Sequence, residues 1–425
     1  MGKTSIFQNK LELFLFVIGI ALSLLMFKTL MIHTDNTQLM DKVMQIKTTG
    51  EWIHHGNAAT KMGALPGSFL TAVTAVPMMI WFSPYAACAV ILLCHLLAYF
   101  FLRHIGYKLD TNFNPLLLVI FFWLNPWRVE QSELYNPGYL FLFSAIHLWS
   151  IYQLHVNPKS FWGSFWLAVG MGFCFQVHFS VLILGISFLY LFFAKKIKVN
   201  YLGLASGIFV IGLSLIPWFL QTMAHKETVL QPASDTFLGK NLVLVYPVIK
   251  AIIYFFRMGS VYFGRHIFSE ITFDWITIVW LKTAIYYLFH GLKWVLALAT
   301  LILSFRFFYS QYRTYKKEFK ERPFIDHYLF SLFLGVVGAA SLSPVEFNHW
   351  HFILCLPAIL LFIALKPQGY FFKAWDKNKN LILATTAVVF IAWNIFASLG
   401  SRSHSYLNDY HRDFMKHYNV TSEAP

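Results

Sequence analysis

The stretch "PGSFLTAVTAVPMMIWF", residues 66–82, decides how the chain threads. It is uncharged throughout, and whether it crosses a membrane or lies along one fixes the side on which every later loop falls. Four basic loops settle the question: "RHIGYK" (103–108), "KKIKVN" (195–200), "RFFYSQYRTYKKEFKER" (306–322) and "KPQGYFFKAWDKNK" (366–379). Lysine and arginine are retained on the cytoplasmic side during insertion. Were 66–82 a crossing, 103–108 would fall outside and the later basic loops would follow it. If 66–82 lies along the outer leaflet or dips into it, all four loops fall inside. The second threading is expected, with the N-terminus inside and the C-terminus outside.

The chain has 425 residues, 58% of them hydrophobic and 12% charged, where a soluble domain carries about 25% charged residues. Most side chains must therefore face lipid or one another, as in an integral membrane protein. The first apolar run, "LELFLFVIGIALSLLMFKTLM" (11–31), is about twenty residues long, against roughly 7–15 for a signal-peptide core, and no small-x-small cleavage site follows. The net charge of +14 comes from basic residues in short loops between apolar runs, so nucleic acid is not an expected partner. Cys88, Cys94, Cys174 and Cys355 all lie in apolar segments and read as small buried hydrophobes, not as a disulfide frame or metal set.

Runs long enough to span lie near 11–31, 85–102, 178–194, 201–220, 288–308, 327–343, 350–366 and 380–398, with shorter ones at 114–126, 139–154 and 161–176. The expected fold is all-α and polytopic, with about eleven transmembrane helices and juxtamembrane amphipathic helices in the first outer loop. The expected organisation is a catalytic transmembrane module over 1–220, with its first outer loop at 32–84, an outer interfacial segment at 221–287, and C-terminal transmembrane helices over 288–425. The weakest span is 114–126, because thirteen residues reach roughly 20 Å against a core of ~30 Å.

Acids are scarce near membrane level. Asp35, in "MIHTDNTQLMDK" (31–42), comes a few residues after the first span; Glu130 and Glu133 lie in the short outer loop "NPWRVEQSELYNPGY" (125–139). Two outward carboxylate sites on adjacent loops suit a general base paired with an acid that binds a metal or orients the substrate. Taken alone, each reads more simply as a solvated loop charge. His349 and His351 are two apart, not the i, i+4 pair of a helical metal site, and read as interfacial residues beside Trp350. His178 reads as a hydrogen-bonded core residue, His54 and His55 as exposed loop, and Gly170 and Gly172 as close helix packing. "NVT" (419–421) is a formal glycosylation sequon.

One series of features resembles a known family. It runs from Asp35 outside the first span through "GEW" (50–52) and "KMGALPGSFLTAV" (61–73) to an outer loop with an acid, "EQSELYNPGYLFLFSAIHLW" (130–149). This is similar to the polyprenyl-phosphate-sugar-dependent glycosyltransferases of the C superfamily, relatives of the protein mannosyltransferases and of the lipid A aminoarabinose transferase. The resemblance covers roughly residues 10–220, and in that family the 66–82 segment is a juxtamembrane helix. Three departures stand out: Asn36 where a second acid is usual, "MGALPG" after Lys61 where two prolines are usual, and glutamate (Glu133, or Glu130) where aspartate is usual.

The resemblance implies a sugar donor on a polyprenyl phosphate and an acceptor that is a glycan, a lipid or a protein, among membrane lipids. Asp35 would be the base, with Glu133 as its partner acid. Lys61, Arg257, Arg265, Lys240, His349 and His351 would be the candidates to bind substrate and leaving phosphate. It implies no certain cofactor, and a divalent metal is the one candidate. The site would face outward from a bacterial inner membrane, and a single displacement would invert the anomeric centre. The competing classes are a transporter or flippase of lipid-linked saccharide, which would want ionisable residues in mid-membrane and two related halves, and a polysaccharide ligase or polymerase.

Overall fold

The structure, a computed structural model, describes residues 9–27, 34–59, 63–224, 245–264, 271–317, 322–342, 347–371 and 373–401. Helix α1 (Lys10–Phe27) leads to α2 (Thr34–Thr49), the strands β1 (His55–Ala59) and β2 (Gly63–Pro66), α3 (Phe69–Ile80) and α4 (Pro84–Leu109). A broken segment follows, in which α5 (Pro115–Leu118) runs into a π-helical turn (Val119–Trp123) and then α6 (Pro126–Glu130). Next come α7 (Leu140–Val156), α8 (Phe161–Val177), α9 (Leu182–Phe193), α10 (Tyr201–Ala224), α11 (Val245–Phe256) and α12 (Met258–Gly264). The last elements are α13 (Val279–Lys317), α14 (Phe324–Leu342), a 3-10 turn (His349–Cys355) entering α15 (Leu356–Leu365), α16 (Pro367–Phe371) and α17 (Lys373–Gly400).

Among the described residues, six helices are long and apolar enough to cross a membrane: α1, α4, α10, Val279–Arg313 of α13, α14, and Ala374–Gly400 of α17. The chain is an all-helical, multi-pass membrane protein. The expected spans near 139–154, 161–176, 178–194 and 350–366 are helical but shorter than these six. Within residues 66–82 lies the twelve-residue α3, about 18 Å long and too short to cross. Leu70, Ala75 and Met78 are fully buried, while Val76, Met79, Ile80 and Trp81 stay exposed. The helix thus has one apolar face on protein and another left for lipid. Gly67 precedes it with φ +83, and a Cβ there would collide with the Gln176 side chain, whose Oε1 accepts from the Phe69 amide.

Contacts gather the loops at two ends of the bundle. At one end the Tyr152 hydroxyl donates to the Lys108 carbonyl, the Lys159 amide to the Lys198 carbonyl, and Lys366 pairs with Asp326 at 3.2 Å. All these residues lie in or beside the basic loops or the turns that join them. At the other end Asn136 donates to the Val177 carbonyl, the His178 and His351 rings lie 5.3 Å apart, and Lys250 donates to Asn348. The sharing of one end by the basic loops is what the insertion rule anticipates.

The expected span at 114–126 is instead a helix that breaks, and residues 117–141 are all buried. Irregular backbone at membrane depth survives where protein encloses it and freed carbonyls find donors. Here three carbonyls at the break find side-chain donors: Asn125 donates to Phe121, Arg128 to Trp123, and Asn394 to Leu124. Arg128 also donates to Ser23 at 2.6 Å and lies over the Trp123 ring. That ring occupies the space beside Gly19, where a Cβ would clash with it, and its Nε1 donates to the Phe16 carbonyl. Gly172 serves close packing as expected: a Cβ there would strike Ile211 of α10.

The first outer loop carries the expected helices, α2 and α3, and between them a β-hairpin, β1 antiparallel to β2. One local expectation is corrected. His54 and His55 are not loop residues in water: both are partly buried, His54 Nδ1 bonds Ser68 Oγ, and the His55 carbonyl accepts from Thr71. His178 does as expected, capping the turn after α8 by accepting from the Ser180 amide.

Candidate functional site

Asp35 lies in the first turn of α2, where the helix N-terminus favours an acid. The hairpin holds that turn, since Asn57 Nδ2 donates to the Asp35 backbone carbonyl at 2.8 Å. Asn57 Oδ1 in turn faces Lys42 Nζ at 3.4 Å, and the Ala58 amide donates to Gln38. Burial raises the Asp35 carboxyl above the ordinary carboxylate value, which makes it a better proton acceptor near neutral pH once ionised. Burial likewise lowers Lys42 to about 7. Asp41, the other acid in this stretch, is exposed.

The second outer loop is packed inside the bundle. Glu133 is 2% exposed and Glu130 5%. Glu133 lies close enough to the start of α4 for its charge to act on Cys88. Glu130 lines a cavity with Lys293 of α13 and with Trp393 and Asn394 of α17. Between the two acids, Gln131 and Ser132 are buried with side-chain polar atoms that have no hydrogen-bond partner among the described residues.

Of the expected substrate-binding residues, Lys61 and Arg265, like Lys240, lie outside the described residues. Arg257 is exposed just after α11, with its guanidinium 5.4 Å from the Tyr254 ring. Tyr254 lies 6.3 Å from the His349 ring, and His349 lies 6.1 Å from Trp127 of the second outer loop. Arg257 and His349 thus come together through Tyr254, in a row that ends beside Glu130. His351 turns away, its Nδ1 accepting from the Asn348 amide. Asp35 is held through the hairpin, whereas Glu133 lies buried inside the bundle. Among the described residues no three of His, Cys, Asp and Glu gather into a metal-binding group.

Two charged features inside the bundle went unread in the sequence. Glu12 of α1 is fully buried and pairs with Arg103 of α4 at 3.2 Å, with Tyr99 donating to it. Lys293, a lone lysine in the apolar run 288–308, faces the Glu130 cavity; its isolation among apolar residues was the available signal.

No family model matches the chain, and no curated protein matches it in sequence. Its fold is similar to two crystal structures of ArnT from Cupriavidus metallidurans. The one bound to undecaprenyl phosphate is 11% identical with a TM-score of 0.56, covering 96% of this chain and 77% of that one. The apo form is 12% identical with a TM-score of 0.54 and the same coverage. The likeness establishes a shared fold along nearly the whole chain.

Proposed function

We propose that the protein is a membrane glycosyltransferase that moves a sugar from a polyprenyl-phosphate donor to a glycan, lipid or protein acceptor on the outer face of a bacterial inner membrane. The observation that carries this reading is Asp35: a half-buried carboxyl whose proton affinity burial raises, on a helix turn fixed by Asn57, in a fold similar to a protein that binds undecaprenyl phosphate.

In this reading the acceptor hydroxyl attacks the anomeric carbon while Asp35 takes its proton. The bond from that carbon to the phosphate oxygen breaks, and the polyprenyl phosphate leaves with the electron pair. Backside attack inverts the anomeric centre. The leaving anion needs cationic neighbours; Arg257 and Lys250, flanking Tyr254, are the described candidates, with Lys61 and Arg265 proposed beside them. Glu133 orients the substrate. A metal held by Glu133 or Glu130 would lack a third His, Cys, Asp or Glu among the described residues, so both acids are assigned to substrate hydroxyls.

A transporter would use the buried ionisable groups instead, but Glu12 and Arg103 are already paired at the basic end of the bundle. The test is Asp35→Asn, read as transfer of labelled sugar from polyprenyl phosphate into envelope material. Loss of transfer with normal accumulation in the membrane is expected; full transfer removes Asp35 from the mechanism.

A further inference from the structure

Lys42 stands seven residues after Asp35 on α2, which returns it to the same face of the helix about two turns on. It is 8% exposed. Its ammonium makes one hydrogen bond among the described residues, to Asn57 Oδ1 at 3.4 Å, and no ion pair. Of the elements packed on α2, β1 brings His55, whose protonation the charge of Lys42 opposes, and α3 carries no ionisable residue. A buried ammonium with one neutral acceptor is costly, and burial lowers this one to about 7. Methionine would serve the packing as well, so the lysine is explained by what its charge does. Costs of this kind are retained where they serve a site.

The charge meets Asn57. That side chain is 2% exposed and sits where the hairpin register shifts between His55 and Ala58. Its Nδ2 donates to the Asp35 backbone carbonyl at 2.8 Å. An amide has a donor end and an acceptor end, whereas an ammonium can only donate. Lys42 therefore draws Oδ1 toward itself and leaves Nδ2 aimed at the Asp35 carbonyl. Turned over, the amide would set N–H against ammonium and oxygen against oxygen. With the lysine removed, Oδ1 loses its partner among the described residues, and one bond alone orients the amide.

We infer that Lys42 is a positioning residue for the Asp35 carboxyl: its ammonium locks the Asn57 amide in the orientation that holds the first turn of α2. The inference rests on the glycosyltransferase reading, in which Asp35 is the base, and adds a cation that acts on the base through a neutral amide without touching substrate.

The test uses the full chain in detergent and follows labelled sugar from undecaprenyl phosphate carrying glucose, galactose or mannose into envelope material. Maximal rate per folded protein and the donor concentration for half-maximal rate are compared for wild type, Lys42→Met, Asn57→Leu, the double variant and Asp35→Asn. Lys42→Met should lower the maximal rate about tenfold, the scale of a misplaced catalytic group, at an unchanged half-maximal donor concentration. The double variant should be no slower than Asn57→Leu, because the two residues act in series.

An unchanged rate in Lys42→Met would overturn the inference, as would a double variant slowed about a hundredfold, the product of two independent effects. A rise in the half-maximal donor concentration at an unchanged maximal rate would place Lys42 on the donor and overturn it too. All three results leave the transferase reading standing if Asp35→Asn is inactive. Full transfer by Asp35→Asn, or none by the wild type from any of the three donors, would remove that reading and this inference with it.

Discussion

The first outer loop holds Asp35 half-exposed on a surface helix braced by a hairpin, whereas the second carries Glu130 and Glu133 inside the bundle. The first is built from local contacts among α2, β1, β2 and α3, and its acid meets water. The second is held by long-range donors such as Asn394 and Arg128, and its acids work in a low-dielectric setting where each charge acts more strongly. A proton acceptor that must be recharged by solvent suits the first setting. Groups that hold a substrate in one orientation suit the second.

The largest expected effect breaks the first side of this comparison. Asp35→Asn should lower transfer by about a hundredfold or more, measured as sugar incorporated per folded protein. On the second side, Arg128→Met should cost about 2 kcal/mol of stability, because the Trp123 carbonyl and Ser23 lose a buried partner. Thermal unfolding in detergent checks this.

Smaller effects sharpen the contrast. Asn57→Leu frees the Asp35 turn from the hairpin and should lower transfer by about tenfold with little change in unfolding temperature. The pH profile of the wild type should fall on its acid side above the ordinary aspartate range, since burial raises the Asp35 carboxyl and its protonation removes the base. Lys42 works in the other sense. Its value is lowered to about 7 when folded, so between pH 7 and its unfolded value near 10 the unfolded chain binds more protons and stability rises with pH. Lys42→Met should therefore stabilise the protein most at pH 7 and below, and progressively less toward pH 10. For the threading, a cysteine at exposed Asp41 should react from outside and one at exposed Asn112 should not.

Much of the fold could be read from the chain because lipid imposes simple rules. Apolar runs marked helices, and basic loops marked one end of the bundle. Asp35 stood out because it followed a span closely. The break at 119–123 could not be read, since "VIFFW" is as apolar as any span and the donors to its carbonyls come from as far as residue 394. The start of α13 at Val279 instead of near 288 was hidden by "VWLKTAIYY" (279–287), whose aromatic and polar residues resemble an interfacial loop. The burial of Glu130 and Glu133 and the place of Lys293 on one cavity wall with Glu130 could not be read, since no spacing encodes burial.

The contact of α17 with α1 and the broken segment has a consequence for biosynthesis. Ser398 meets Met26 and Asn394 supplies the donor for the Leu124 carbonyl, so a groove formed early in translation is closed by almost the last described turn of helix. Until some 270 further residues have left the ribosome, that carbonyl has to be solvated by something else at the translocon. Nascent chains stalled before residue 373 should remain open to protease near residue 124, and the bundle should close in a single late step.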